Sequence, residues 1–446
     1  MNASAYDVTR TKLNRISPIA DDVAPAHGDN RGYRREDEHK PSPYSNMLRS
    51  FAFQARLYRL CGCLFVKDMF AKAPRSPKVI WVHWYSLYAA ACFIFYLWFE
   101  IDIVTRSPIV LGDTYRFFTK SLLVILNVVI ILNACSNFLT MVFSCRKILD
   151  FFLKAARFEK EISIPTCKCC SQRHFLLSDL STAMMFVVYF AGYMMALLYQ
   201  EQKVDVGDVL NVQEIVDRVC CIFAAVLFFV YDSANILTLR HSADVLERYV
   251  TFLKQQLEEY AGDNCLQYEV AAKKVQATRI QLTTVLELKN DINGIWQKSI
   301  VVSSTGILLV TCISLYTVIT QGMKSTEIWI AIGYSAFASY EFFRLANVSQ
   351  SLSSAVQNIK NLCRRTLTLD HTVAFNIQII YLDNSINPDD ISLNGNDFFK
   401  INLGLLVSMA GSIITYTVIL VQTRPELEGT TKCISGTSRA NITASI

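Results

Sequence analysis

Charge, histidine and the familiar catalytic signatures are all in short supply. Asp, Glu, Lys and Arg make up 18% of the 446 residues, against about 25% in an ordinary soluble domain. A net charge of +5 over this length supplies no basic domain, which excludes a nucleic-acid binder. The chain has no Gly-rich phosphate loop, no HExxH and no GxSxG in a strand–turn–helix setting. Of six histidines, His27, His39, His174 and His241 fall in tails or loops, His83 at the end of an apolar run, and His371 in a late loop. An intramembrane enzyme needs catalytic groups converging within its spans. None is visible, so the expectation is a non-enzyme without cofactor or metal. No internal repeat is present, which argues against an inverted-repeat transporter.

What is present is apolar. Hydrophobic residues reach 52% and are gathered in blocks, which excludes a disordered chain. The length excludes a small disulfide scaffold. A spanning helix needs about 20 mostly apolar residues. Seven segments qualify: 79–104, 121–144, 178–200, 215–238, 298–321, 327–348 and 398–422. The fold expected is therefore all-α, a seven-transmembrane helix bundle in the cell membrane. Asp232 in the fourth span and Glu341 and Arg344 in the sixth must face protein or water rather than lipid. Glu341 and Arg344, spaced i,i+3, read as a structural pair. Asn396-Asp397 are placed to cap the first turn of the seventh span. The first long apolar run starts too late for a cleaved signal peptide.

Orientation follows from the basic residues between spans. The N-terminal segment and the segments after spans two, four and six hold 31 Lys and Arg, and the other side holds eight. The N-terminus is expected in the cytoplasm and the C-terminus outside. A G-protein-coupled receptor has the reverse orientation. The sequon at Asn441 lies in the expected outside tail and is a candidate glycosylation site. Three regions follow: a disordered cytoplasmic tail over 1–48, the seven-helix domain over 49–422, and an extracellular tail over 423–446.

Outer connections are short, and inner ones are long. Between spans four and five, Val245, Tyr249, Phe252, Leu253, Leu257 and Tyr260 recur at helical steps, as do Leu282, Val285, Leu288, Ile292 and Ile295. Leu352, Val356, Ile359 and Leu362 continue the sixth span. These stripes imply a cytoplasmic helical bundle, and the favoured reading is that subunits pack there. The bland reading is that the stripes pack within one chain. Cys167, Cys169 and Cys170, near His174, lie a few residues before the third span, on its expected cytoplasmic side. Lipidation or no modification is favoured there over zinc, because the spacing fits no standard zinc module.

The last span reads Ile414-Thr415-Tyr416-Thr417-Val418-Ile419-Leu420-Val421-Gln422. Ser408, Ser412, Thr415 and Gln422 share one helical face. Such a stripe wants a close helix neighbour or water. Periodicity alone leaves helix packing and a pore wall open. Thr415-Tyr416, five residues and then Gln422, in the last of seven spans, resembles the C-terminal signature of the insect gustatory receptors. Length, span number, inverted topology and long inner segments are similar to that family as well. The 24 residues after Gln422 exceed what the family usually carries.

The resemblance implies a ligand-gated cation channel, related to insect odorant receptors. It implies a homo- or hetero-tetramer with other gustatory receptor subunits in the membrane lipid, around a pore lined by the last helix. Pore-lining residues would be Ser408, Ser412, Thr415, Val418 and Gln422, with Tyr416 packing behind. The partner implied is a small-molecule tastant, a sugar or a bitter compound, held in the outer half of helices one to six. By depth, the candidate pocket residues are Asn127, Tyr193, Tyr199, Ser314, Tyr316, Trp329 and Tyr334. The competing readings are a G-protein-coupled receptor and a secondary transporter.

Overall fold

The computed structural model describes residues 46–67, 78–79, 84–110, 117–164, 212–262, 268–321, 326–367 and 372–443, together with Met184, Val187, Phe190 and Ala191. Side chains are described between Phe51 and Thr423. Nine helices carry the described chain: α1 Asn46–Leu60, α2 Trp84–Val110, α3 Phe117–Phe143, α4 Cys145–Glu161, α5 Val212–Gly262, α6 Tyr268–Gln321, α7 Thr326–Thr366, α8 Val373–Ser385 and α9 Leu403–Thr443. Two antiparallel two-residue ladders complete it, β1 (Val66–Lys67) with β2 (Lys78–Val79) and β3 (Asn394–Gly395) with β4 (Phe399–Lys400).

Among the described residues, α2, α3, α5, α6 and α9 are long and apolar enough to cross a membrane. The expected sixth span is the first half of α7, which also carries Glu341 and Arg344. The expected third span lies almost wholly outside the described residues, as do the Cys167–Cys170 cluster and His174.

The inner segments do not break at the membrane. α5 runs 51 residues and α6 runs 54, each as one helix. Their apolar stripes are largely covered within the chain, as the bland reading has it. Val245, Tyr249, Leu253 and Leu257 of α5 are buried within the protomer, as are Leu282, Val285, Leu288 and Ile292 of α6 and Leu352, Val356 and Ile359 of α7. α5, α6 and α7 pack on one another, and α8 covers α6 and α7. Those residues are thus covered inside one chain, while Phe252, Tyr260 and Leu362 of the same stripes stay half-buried. Exposed apolar residues in the same region include Val270 and Ile280 of α6 and Val373, Ile377, Ile380 and Tyr381 of α8.

The start of the last span also differs from expectation. Asn396 and Asp397 form the β3–β4 turn, both at positive φ (50° and 61°), a conformation that Asn and Asp tolerate better than most residues. The helix begins six residues later, at Leu403. Its cap is Asn402, whose Oδ1 accepts the Leu405 N–H at 2.8 Å. The hairpin is pinned to α7, because the Leu393 N–H donates to Ser349 Oγ at 3.2 Å.

Near the other end of the domain, α1 is locked in place through its last carbonyls. The final turn of a helix leaves these acceptors without intrahelical donors. Tyr85 and Tyr88 of α2 donate their hydroxyls to Arg59 O (2.8 Å) and Leu60 O (2.6 Å). Tyr231 of α5 donates to Cys61 O at 3.0 Å. Gly62 turns the chain at φ +79°, and a Cβ there would lie 2.8 Å from the Ala89 Cα. Only glycine fits both the dihedral and the close approach.

Candidate functional site

Two features carry chemistry: the outward face of α9 and a polar cluster buried between α3, α5, α6 and α7. Over Leu403–Thr423, α9 has a mean hydropathy of 2.0, yet only 6% of its apolar window is buried in the protomer, against 56% for α6. Its inner side, with Met409 and Thr417, meets α6 and α7. The Cys312 thiol of α6 donates to Ile413 O at 3.7 Å.

The expected stripe points the other way. At 100° per residue, Ser408, Ser412, Thr415, Val418 and Gln422 fall within an arc of about 120°. Ser408, Thr415, Val418 and Gln422 are exposed and Ser412 is half-buried. The hydroxyls are satisfied along the helix itself. Ser408 donates to Gly404 O, Ser412 to Ser408 O and Thr415 to Gly411 O, at 3.2, 3.0 and 2.9 Å. Each hydroxyl keeps lone pairs free, so the stripe is a mildly polar, uncharged wall with Gln422 as its strongest polar group. Tyr416 is exposed rather than packed behind this wall. Thr417, one position on, takes the inner side instead. Asn441 lies in the final stretch of α9, beyond the described side chains.

The buried cluster centres on Asp232 of α5. Asn133 Nδ2 donates to Asp232 Oδ1 at 2.5 Å, and the Tyr334 hydroxyl reaches both carboxylate oxygens at 3.2 and 3.1 Å. Asn137 Nδ2 donates to Asp232 O at 2.7 Å. Asn137 Oδ1 then accepts from Asn235 (3.0 Å), Ser299 (2.7 Å) and Ser303 (3.4 Å), while Ser303 also donates to Asn133 Oδ1 at 3.0 Å. Four helices are joined through one carboxylate and three amides. Below the cluster lies a cavity of about 10 Å³, lined by Asn235, Trp296, Ser299, Ser303, Phe342 and neighbouring apolar residues. That is the lower limit for one water. Asn235 Oδ1 and Trp296 Nε1 are buried there without a hydrogen-bond partner among the described residues.

The seven expected pocket residues divide. Tyr334 joins the Asp232 cluster. Its neighbour Ser335 shares a 3.1 Å hydrogen bond with Ser314, so Ser314 and Tyr334 mark one α6–α7 seam. Tyr316 is fully buried, its ring edge-on to Phe118 at 5.8 Å, and its hydroxyl has no partner among the described residues. Asn127 is half-buried on α3, and Trp329 is exposed on α7. Tyr193 and Tyr199 lie outside the described residues. None of the seven lines the small cavity. Sequence reading missed Asn133, Asn137, Asn235, Ser299 and Ser303. Their signal was present: Asn133/Asn137 and Ser299/Ser303 are i,i+4 pairs, and Asp232/Asn235 is an i,i+3 pair, each presenting polar groups on one helix face inside a span.

Just inward of the cluster, Arg240 of α5 pairs with Glu341 of α7 at 2.5 Å, the two side chains 2% and 1% exposed. Glu341 thus takes a partner on a neighbouring helix that its own helix could not reveal. Asp244 lies one turn further along α5, beyond the expected fourth span. Burial pushes its carboxyl up to about 6, although Arg240, Arg248 and Arg344 pull it down.

Residues 51–426 match the family described as 7tm Chemosensory receptor. The fold is similar to the insect olfactory receptor OR5 from Machilis hrabei in complex with eugenol, at 14% identity and a TM-score of 0.62, covering 85% of this chain and all of that one. It is also similar to a second structure of OR5 from Machilis hrabei, at 16% identity and a TM-score of 0.58, covering 84% of this chain and 98% of that one. Comparison with curated protein sequences finds no match.

Proposed function

The chain belongs to the 7tm chemosensory receptor family, a multi-pass membrane protein and not an enzyme, and on that footing we propose that it is a gustatory receptor: a subunit of a tastant-gated, non-selective cation channel. The observation that carries this reading is the bare face of α9. A helix almost unburied in its own protomer needs other partners. Lipid offers nothing to a stripe of hydroxyls ending in Gln422. Four copies turned inward around an axis place Ser408, Ser412, Thr415, Val418 and Gln422 against water. An uncharged ring of four Gln422 amides suits weakly selective cation passage better than a charged ring does. The exposed apolar residues of α8 supply contact between subunits on the cytoplasmic side, in homo- or heteromeric assembly.

The N-terminus lies in the cytoplasm on this reading and the C-terminus outside, which the 31-to-8 distribution of basic residues supports. The tastant is a small molecule, a sugar or a bitter compound, held in the outer half of the bundle. Tyr316, whose buried hydroxyl has no partner among the described residues, and the Ser314–Tyr334 seam would line that region, with the Asp232 cluster closing it from below. The OR5 neighbour holds eugenol, a ligand of comparable scale.

The test is patch-clamp recording from insect cells expressing the chain, against a panel of sugars and bitter organics. Ligand-evoked current is expected to persist in excised patches without nucleotide. Gln422→Ala and Gln422→Arg are expected to change conductance or ion selectivity at unchanged surface expression. Saturable uptake without conductance would overturn the channel reading, and tags accessible in the reverse sense on intact cells would overturn the orientation.

A further inference from the structure

The outer face of α1 is not used by the fold. Phe51, Ala55 and Tyr58 bury the inner face, with Phe51 stacked on Phe152 of α4 at 4.6 Å and Tyr58 donating to Ala234 O of α5 at 3.4 Å. On the opposite side Phe53, Arg56 and Leu60 follow at steps of three and four, with Arg59 beside them. Phe53 is 77% exposed and Leu60 68%, and both arginines are exposed. Two bare apolar side chains interleaved with two cations are an unusual outer face for a helix solvated by water alone. Neither arginine forms an ion pair among the described residues. Arg59 lies 5.7 Å over the Tyr85 ring, a contact that keeps its charge.

The depth of this face is known from its hydrogen bonds. Tyr85 and Tyr88, which hold the α1 carbonyls, belong to the first turns of α2, the inner end of the first span. Trp84, beside them, is exposed, as amphipathic aromatic rings at a membrane boundary are. Cys145, the first residue of α4, hydrogen-bonds the Phe65 backbone, and Phe65 packs edge-on to Tyr85 at 5.4 Å. The exposed Arg146 and Lys147 after it therefore belong to the same level. α1 packs on α4 and α5, whereas α9 packs on α6 and α7, so this face and the proposed pore wall rest on different elements.

We propose that the face formed by Phe53, Arg56, Arg59 and Leu60 seats an anionic phospholipid, its phosphate on the two guanidinium groups and an acyl chain along Phe53 and Leu60. Guanidinium matches phosphate with a planar fork of donors. The apolar pair matches what a free phosphate lacks, which commits the site to a lipid. The tyrosine-held end of α1 keeps the two arginines in position without their having to order on binding. Placing the site on the inner leaflet rests on the cytoplasmic N-terminus; the lipid seat itself does not.

The experiment uses the purified full-length receptor in mild detergent, with retained lipid counted by native mass spectrometry after incubation with phosphatidylserine or phosphatidylcholine. Phosphatidylserine is expected to be retained in preference. Each basic residue near an anionic surface is worth roughly a five-fold change in affinity, so Arg56→Gln with Arg59→Gln lowers retention roughly 30-fold. Arg56→Lys with Arg59→Lys keeps most of it. Size-exclusion elution reports whether each variant is folded. Should the double variant misfold, Arg56→Gln alone, at an exposed position, gives the roughly five-fold loss. Equal retention of the two lipids, or unchanged phosphatidylserine retention in a folded variant, overturns the proposal. No current is recorded, so failure of the channel reading and failure of this one are separate results.

Discussion

Replacing Arg240 by Met removes one half of the ion pair that joins α5 to α7. The pair is 2.5 Å apart with both side chains almost fully buried. At an effective dielectric of about 20, a separation of that size gives about 7 kcal/mol of attraction, from 332/(20 × 2.5). Desolvation of the two ions offsets most of this, so the pair contributes little over an apolar equivalent. Removing one partner is a different matter, because Glu341 stays buried without its guanidinium, and such losses run about 3–5 kcal/mol. That is a large fraction of a typical folding free energy of about 5–15 kcal/mol. Arg240→Met is therefore expected to lower the melting temperature sharply and deplete the folded peak on size exclusion of the full-length protein in detergent. Arg240→Met combined with Glu341→Leu is expected to recover most of the loss. The reasoning is refuted if the single variant melts like the parent, or if the double variant is no better than the single one.

Asn137→Ala removes four hydrogen bonds that tie α3 to α5 and α6. At about 0.6 kcal/mol for each interhelical bond within a membrane, the expected cost is about 2 kcal/mol, read as a lower melting temperature with surface delivery retained. Gly62→Ala forces a Cβ toward Ala89 at positive φ. At least about 1–2 kcal/mol of backbone strain follows, and a melting temperature equal to the parent's would show that the turn relaxes freely. Asp244 carries a raised value of about 6 in the fold, against about 3.9 unfolded. The native state then takes up the proton first, so its contribution to stability grows as pH falls from about 6 to 4 and is lost as pH rises through that window. Asp244→Asn is expected to flatten that part of the stability profile, and a parent profile already flat there would contradict it.

The last span was legible because a single helix carries its own period. Ser408 through Gln422 needed only a 100° rotation per residue to be placed on one face, and the structure leaves that face bare. Its beginning was not legible. Asn396-Asp397 and Asn402 are both plausible caps, and only the pairing of β3 with β4 assigns the first two to a turn. The stripes of α5 and α6 show the same limit from another side. Periodicity at Val245–Leu257 states that a face is covered, but not whether the cover belongs to the same chain. The Asp232 cluster was half visible. Asp232 announced itself as a charge in a span, while its partners Asn133 and Tyr334 lie 99 and 102 residues away. Nothing local to either position marks it as a neighbour of that carboxylate.

The unbroken course of α5 and α6 has a mechanical side. At 1.5 Å per residue, the 54 residues of α6 make a rod about 80 Å long, well beyond a hydrocarbon core of about 30 Å. The hydrogen bonds of Ser299 and Ser303 grip this rod a little past its midpoint. Any tilt of the rod would pivot near that grip. A tilt of about 5° there would swing the Tyr268 tip by about 4 Å and the Gln321 tip by somewhat less. A small rearrangement at the Gln321 end of the rod would thus be carried to its Tyr268 end, and to α8 packed upon it, through one continuous helix.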